Sequence, residues 1–226
     1  MTEVRAHRAD IDGLRALAVL AVVVFHLAPT WVPGGYAGVD LFFVISGFLI
    51  TGNVLDGLQR GDFSLRDFYR RRLLRLLPAY LLVSAATLAA ASYLLIPDDY
   101  LFFTTSLAAS WAFASNLFFA MLSWGYFGQR SEEFPLLHTW SLGVEEQFYL
   151  GYPLLLMLLW RHGRQRLPAT LLLLTGIGLA LSEWRSGMVQ GYFLLPYRAH
   201  ELLLGALATL WLRRRGPPAA PLATAC

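Results

Sequence analysis

Two polar residues interrupt the first long apolar stretch of the sequence, residues 10–29. Arg15 and His26 are eleven positions apart. Eleven helical steps of roughly 100° return to within about 20° of the starting direction, so both side chains lie on one helical face, about 16 Å apart along the axis. A guanidinium and an imidazole are costly in a membrane helix and usually face a bundle interior or a polar cavity. The spacing therefore predicts a functional face, with helix packing as the alternative for His26 and anchoring at the helix end as the alternative for Arg15.

The composition indicates what kind of chain carries this face. Of the 226 residues, 57% are hydrophobic, which is too apolar for an ordinary soluble domain. All 18 cationic residues are arginines, and they lie in short loops between apolar segments rather than on one soluble face, so nucleic acid is not expected as a partner. The single cysteine, Cys226, excludes an intramolecular disulfide. The chain is predicted to be an all-α, multi-pass transmembrane bundle in the lipid bilayer.

Arginine-rich loops set the predicted orientation, because cytoplasmic loops of membrane proteins carry an excess of positive charge. On this rule, residues 1–11 form a cytoplasmic N-terminus, residues 12–212 form the membrane domain, and residues 213–226 form a disordered cytoplasmic tail. Six spans place every strongly basic loop on the cytoplasmic side. The predicted spans are 12–30, 37–55, 73–96, 143–160, 168–183 and 191–212.

One apolar segment, 101–124, is long enough to cross but contains several Ser, Thr and Asn residues. If it crossed, the basic turn at 161–166 would lie outside, against the charge rule. Residues 98–142 are therefore predicted to form an external segment that dips into protein or membrane without crossing.

Carboxylates occur at the predicted ends of three other spans. Asp40 follows a short turn after the first span, so it is expected near His26, where it would orient the imidazole; its alternative is an acid at a helix N-terminus. Glu145 and Glu146 start the fourth predicted span, where acids suit the positive end of a helix, but they point about 100° apart, so at least one should face the bundle. Glu201 lies a turn or so inside the outer end of the last span.

An arginine–glutamate pair and a cluster of four arginines are also candidates. Arg198 and Glu201 share one face of the last span, either as an intrahelical ion pair or beside His26. Four arginines precede the third span, where they are either topogenic and lipid-binding charges or phosphate contacts. They are Arg70, Arg71, Arg72 and Arg75. No metal site is expected, because histidines and acids never fall at HExxH or comparable spacing.

Five ordered blocks of the sequence resemble acyltransferase family 3, the bacterial membrane O-acyltransferases of the O-antigen acetylase type. The Arg15 and His26 spacing is similar to that of the family's first helix. The other blocks are GGYAGVDLFFVISGFLIT (34–51), FYRRRLLRLLPAY (68–80), LLHTWSLGVEEQFYL (136–150) and PYRAHELLLGAL (196–207). Together they cover most of the chain, and the family's domain has about ten spans, so the resemblance implies that this chain holds about the first six.

The resemblance implies transfer of an acetyl or other short acyl group to a hydroxyl of a cell-surface carbohydrate or lipid-linked glycan at the bacterial inner membrane. The implied donor is an acyl-coenzyme A, and acetyl-coenzyme A is the expected one. The residues implied to act in catalysis are His26, Asp40, Arg15, Glu145 and Glu201. Arg15 and the arginines at 70–75 are the implied donor contacts. The alternatives are a secondary transporter of an anionic metabolite, since intramembrane Arg and His also line transport routes, and an inactive truncated relative.

Overall fold

The computed structural model describes residues 8–122, 134–184 and 188–215, and these residues form helices joined by short turns, with no strand among them. This confirms the predicted all-α class. The predicted cytoplasmic N-terminus, external segment and tail lie partly outside the described residues. The helices are α1 (Ala9–Leu27), α2 (Gly38–Arg60), α3 (Leu65–Leu94), α4 (Pro97–Trp111), α5 (Ser115–Leu122), α6 (Thr139–Gly163), α7 (Leu167–Trp184), α8 (Val189–Phe193) and α9 (Leu195–Arg215).

Within the described ranges, three helical segments are long and apolar enough to cross a bilayer: Gly35–Arg60, Leu65–Leu94 and Thr139–Trp184. The helices extend beyond the apolar stretches that predict the spans, because polar residues continue a helix without contributing to hydropathy. Thus α3 begins at Leu65 rather than at residue 73. Its first turn is capped by the Ser64 hydroxyl, which accepts a hydrogen bond of 3.3 Å from the Asp67 amide. Helix α2 ends at Arg60, and the capping residue after it, Gly61, has a φ of 76°, which suits a residue without a Cβ.

The segment predicted to be external is broken into α4 and α5. Phe113 lies at the break, with a φ of 52°. Helix α4 has 15 residues, which is fewer than the roughly 20 residues that one crossing needs, and α5 has 8 residues up to Leu122, where this described range ends. That the segment stays on the external side remains a prediction.

Helices α2 and α9 form the closest pair in the bundle. A Cβ at Gly47 would collide with the Leu202 carbonyl oxygen, and a Cβ at Gly205 would collide with that of Val44. Each glycine thus admits the backbone of the other helix. This close approach brings the side chains of α2 and α9 within ion-pairing distance at both ends of the pair.

Candidate active site

His26 lies in the last turn of α1 with its side chain exposed. Its Nδ1 is 2.8 Å from the carbonyl oxygen of Val22, one turn earlier. Because a carbonyl oxygen only accepts hydrogen bonds, the neutral imidazole that makes this bond carries its proton on Nδ1 and keeps the lone pair on Nε2. The contact therefore leaves Nε2 as the basic atom, directed away from its own backbone.

Asp40 does not provide the contact that the sequence predicts for His26. Its carboxylate forms an ion pair with Arg198 of α9, and within the described residues the imidazole is held by the Val22 carbonyl instead. The two residues still belong to the same end of the bundle. The turn between α1 and α2 folds back on α1, and the Tyr36 ring in this turn lies 5.6 Å from that of Phe25.

Arg15, at the other end of the face on α1, lines a cavity of about 250 Å³. We call this the arginine cavity. Several polar side chains from four helices line this cavity. These are Arg15 of α1, Ser46 of α2, Arg72 and Arg75 of α3, and Glu145 and Tyr149 of α6.

Arg72 is fixed by contacts on three sides. Its Nε and Nη2 lie 2.8 Å and 2.6 Å from one carboxylate oxygen of Glu146, and Nη2 lies 3.4 Å from Glu145. Its guanidinium carbon is 3.4 Å from the centre of the Tyr149 ring, a cation–π contact. We call Arg72, Glu145 and Glu146 the Arg72 cluster. In this cluster two carboxylates face one guanidinium, so Arg72 has no positive charge left for a further anion.

The position of Glu145 and Glu146 corrects the sequence prediction. Helix α6 begins at Thr139, four residues before the predicted span, so neither acid lies in its first turn. They interact with Arg72 rather than with the positive end of the helix. The Ser46 hydroxyl donates a hydrogen bond of 2.5 Å to Glu145.

Arg15 and Arg75 give the cavity positive charge that is not tightly paired with a carboxylate of a described residue. The closest carboxylate oxygen to Arg15 is that of Asp12, at 3.9 Å. Arg75 makes no ion pair with a described residue and is exposed on α3. These two guanidiniums can each present hydrogen-bond donors to an anionic ligand.

The four arginines predicted as one cluster divide among three environments, since successive residues of a helix point about 100° apart. Arg72 and Arg75, three positions apart, share the arginine cavity. Arg71 lines a second cavity of about 250 Å³ together with Arg60. Arg70 is exposed and lines neither cavity. Asn53 and Phe68 line both cavities, so the two adjoin.

A second ion-pair cluster lies between α2 and α9. Arg198 pairs with Asp40 and, at 3.1 Å, with Glu201 on its own helix. We call Asp40, Arg198 and Glu201 the Arg198 cluster. The predicted intrahelical pair is therefore present, and Asp40 adds a partner from another helix.

Aromatic rings surround the Arg198 guanidinium. The ring centres of Tyr192, Phe43 and Trp140 lie 5.0, 5.7 and 5.7 Å from its central carbon. Sequence reasoning missed Tyr192 and Trp140, since nothing in the sequence relates α6 and α8 to Arg198. It also missed Tyr149, although this residue lies one turn after Glu145 on the same helical face.

The fold and these clusters define an α-helical membrane protein with charged side chains held between its helices. Residues 8–220 match the profile of the family described as Acyltransferase domain, and the chain belongs to that family, acyltransferase family 3. This confirms the resemblance read from the five sequence blocks.

Two curated relatives match over most of this chain. Peptidoglycan O-acetyltransferase OatA of Listeria monocytogenes serovar 1/2a is 37% identical over 228 residues, covering 96% of this chain and 36% of the relative. O-acetyltransferase OatA of Staphylococcus aureus strain NCTC 8325 is 37% identical over 208 residues, covering 89% of this chain and 34% of the relative. The chain thus spans about a third of the length of these relatives. No solved structure matches it.

Proposed function

We propose that this chain takes part in transfer of an acetyl or other short acyl group from acyl-coenzyme A to a hydroxyl of a cell-surface carbohydrate. The observation that carries the proposal is the convergence of Arg15, Arg72 and Arg75, from two helices far apart in sequence, on one cavity. The name of the Listeria monocytogenes relative points to peptidoglycan as the acceptor class. The membrane is the bacterial plasma membrane, with the N-terminus of the chain in the cytoplasm.

The arginine cavity suits the phosphate end of the donor. Arg15 and Arg75 offer guanidiniums without tight partners, whereas Arg72 is occupied by two carboxylates and acts as the fixed wall of the site. The adjoining cavity adds Arg60 and Arg71. Together the two cavities fall within the roughly 300–1,000 Å³ range of small-molecule sites. Several phosphates of one donor can therefore be bound along α2 and α3.

The thioester end of the donor would lie at His26, about three helical turns from Arg15 along α1. His26 Nε2 accepts the proton of the acceptor hydroxyl as its oxygen attacks the thioester carbonyl carbon. The C–S bond then breaks, and the thiolate of coenzyme A takes up the proton from the imidazolium. The products are an O-acyl ester and free coenzyme A, and the imidazole returns to its neutral form.

The test measures acyl transfer from labelled acetyl-coenzyme A to soluble peptidoglycan fragments by the protein in membranes. His26→Gln keeps a polar side chain but removes the base, so transfer should fall about 100-fold or more while donor binding is unchanged. His162→Gln is the matched control, because His162 is also exposed and its Nδ1 also lies near an i−4 carbonyl oxygen, that of Leu158, at 3.1 Å.

Full transfer by a correctly inserted His26→Gln variant would overturn the assignment of the base. Uptake of labelled donor into vesicles without any transfer would instead identify a carrier for an anionic metabolite. Equal losses in His26→Gln and His162→Gln would mean that the effect comes from folding rather than from chemistry.

A further inference from the structure

The Arg198 cluster contains hydrogen-bonding atoms that the described part of the chain does not satisfy. Arg198 Nε and Glu201 Oε2 are buried and have no hydrogen-bond partner there. The Glu201 side chain is only 9% exposed and that of Arg198 only 12%. Buried polar atoms nearly always have partners, because leaving them without one is costly. Two such atoms on side chains that contact each other indicate a place for a polar ligand.

The charges of the cluster restrict what this ligand can be. One guanidinium faces two carboxylates, so an additional anion would be repelled by the surplus negative charge. The unsatisfied atoms of the cluster are one donor, Arg198 Nε, and one acceptor, Glu201 Oε2. The neighbouring His200 adds a third buried atom without a described partner, Nδ1, while its Nε2 lies 3.8 Å from Glu201 Oε1. A hydroxyl group both donates and accepts, so a neutral molecule with several hydroxyls matches the pair. A buried water molecule would match it as well.

The surroundings distinguish a sugar from a single water. Tyr192 is 39% exposed and its ring lies 4.7 Å from that of Trp140, so an aromatic surface borders the cluster. The Asp40 side chain is 40% exposed, which gives the cluster an opening on the α2 side. Aromatic faces beside hydrogen-bonding carboxylates suit a sugar ring, whose C–H groups lie on its faces and whose hydroxyls lie at its edge.

The cluster lies at the end of the bundle that carries His26. Asp40 is two residues after Gly38, and Gly38 packs on α1, where a Cβ would collide with the Ala18 carbonyl oxygen and lie 2.8 Å from Val22. Val22 is also the residue whose carbonyl oxygen holds His26. A sugar bound at Asp40 therefore lies beside the same stretch of α1 that positions the imidazole.

We infer that the Arg198 cluster binds the carbohydrate acceptor, with Glu201 and Asp40 accepting hydrogen bonds from its hydroxyls and Tyr192 supporting its ring. The inference rests on the proposed function for the reaction that follows, but binding of the sugar itself does not require the donor. It assigns these residues to positioning of the acceptor, whereas His26 acts on the hydroxyl.

The test uses the detergent-solubilised protein and a soluble tetrasaccharide of N-acetylglucosamine as the probe, with acetyl-coenzyme A binding measured in parallel. Asp40→Asn and Glu201→Gln should each weaken tetrasaccharide binding about tenfold or more, because each alters a charged acceptor of the hydroxyls. Asp56→Asn is the matched control. Asp56 also joins α2 to α9, through an ion pair with Arg213, but at the opposite end of the helix pair.

Thermal unfolding of each variant separates a binding role from a structural one. If the cluster only holds the helices together, Asp40→Asn and Asp56→Asn should lower the unfolding midpoint to a similar extent. Tetrasaccharide affinity should then be unchanged in both variants. This result would overturn the inference in favour of buried water. Absence of tetrasaccharide binding by the unaltered protein would overturn it too. Tetrasaccharide binding without acetyl-coenzyme A binding would instead contradict the proposed function alone.

Discussion

Arg72 and Arg198 each lie between two carboxylates and beside aromatic rings, yet the two clusters differ in what they leave unsatisfied. The Arg72 side chain is 26% exposed and faces the arginine cavity, and both of its acids are in contact with it. The Arg198 side chain is more deeply buried, at 12%, and its cluster retains a free donor and a free acceptor. The more deeply buried cluster, that of Arg198, thus has the less complete hydrogen bonding.

The difference separates two ways of building a polar site between helices. In the arginine cavity, Arg72 forms the wall and is already paired with two carboxylates. The charge that binds the ligand comes from Arg15, which is only loosely paired with Asp12, and from Arg75, which pairs with no described residue. In the Arg198 cluster, the paired residues themselves retain hydrogen-bonding capacity. The first arrangement suits an anion, because it presents extra cations. The second suits a neutral polar molecule, because its two carboxylates already outnumber its single guanidinium.

The largest expected effect is on stability, and it comes from Arg198. Arg198→Gln leaves Asp40 and Glu201 without their cation, and breaking a buried pair in this way costs about 3–5 kcal/mol. The thermal unfolding midpoint in detergent should fall steeply. A midpoint within error of the unaltered protein would show that solvent reaches the carboxylates, and the contrast with Arg72 would lose its basis.

The same substitution at Arg72 should cost less. Arg72→Gln also leaves two acids without their cation, but one of them, Glu145, lines a cavity where water can hydrate it, so we expect a loss of about 1–3 kcal/mol. The control is Arg164→Gln, which removes an exposed arginine whose guanidinium carbon lies 4.0 Å from the centre of the Trp160 ring. A larger loss for Arg72→Gln than for Arg198→Gln would reverse the order that burial predicts.

How far the sequence predicts these clusters depends on whether the partners share a helix. The common face of Arg15 and His26 and the Arg198–Glu201 pair follow from helical periodicity alone, and Arg15 does line a cavity. The pairing of Arg72 with Glu145 and Glu146 requires the rotation of α3 relative to α6, and periodicity within one helix carries no information about it. The position of Asp40 shows the same limit. Proximity in the chain predicts His26 as its partner, whereas the close packing of α2 and α9 at Gly47 makes Arg198 its partner instead.

The smallest expected effect tests the ligand-binding side of the comparison without disturbing stability. Arg75 lines the arginine cavity and pairs with no described residue, so Arg75→Gln removes positive charge from the cavity without leaving a buried acid uncompensated. Its unfolding midpoint should be unchanged. Its dissociation constant for acetyl-coenzyme A should rise about tenfold, which corresponds to about 1.4 kcal/mol and one charge-assisted contact to phosphate.

Arg70→Gln is the matched control for Arg75→Gln, because Arg70 belongs to the same helix and the same basic segment but lines neither cavity. Both variants lose one positive charge, so any general attraction to anions or to lipid falls equally in the two. Only a contact in the cavity distinguishes the two variants. The difference between their dissociation constants for acetyl-coenzyme A should narrow in 1 M salt, where the screening length falls to about 3 Å. Equal donor affinities for Arg75→Gln and Arg70→Gln would assign both arginines to the membrane surface, and the comparison would then reduce to two structural ion-pair clusters.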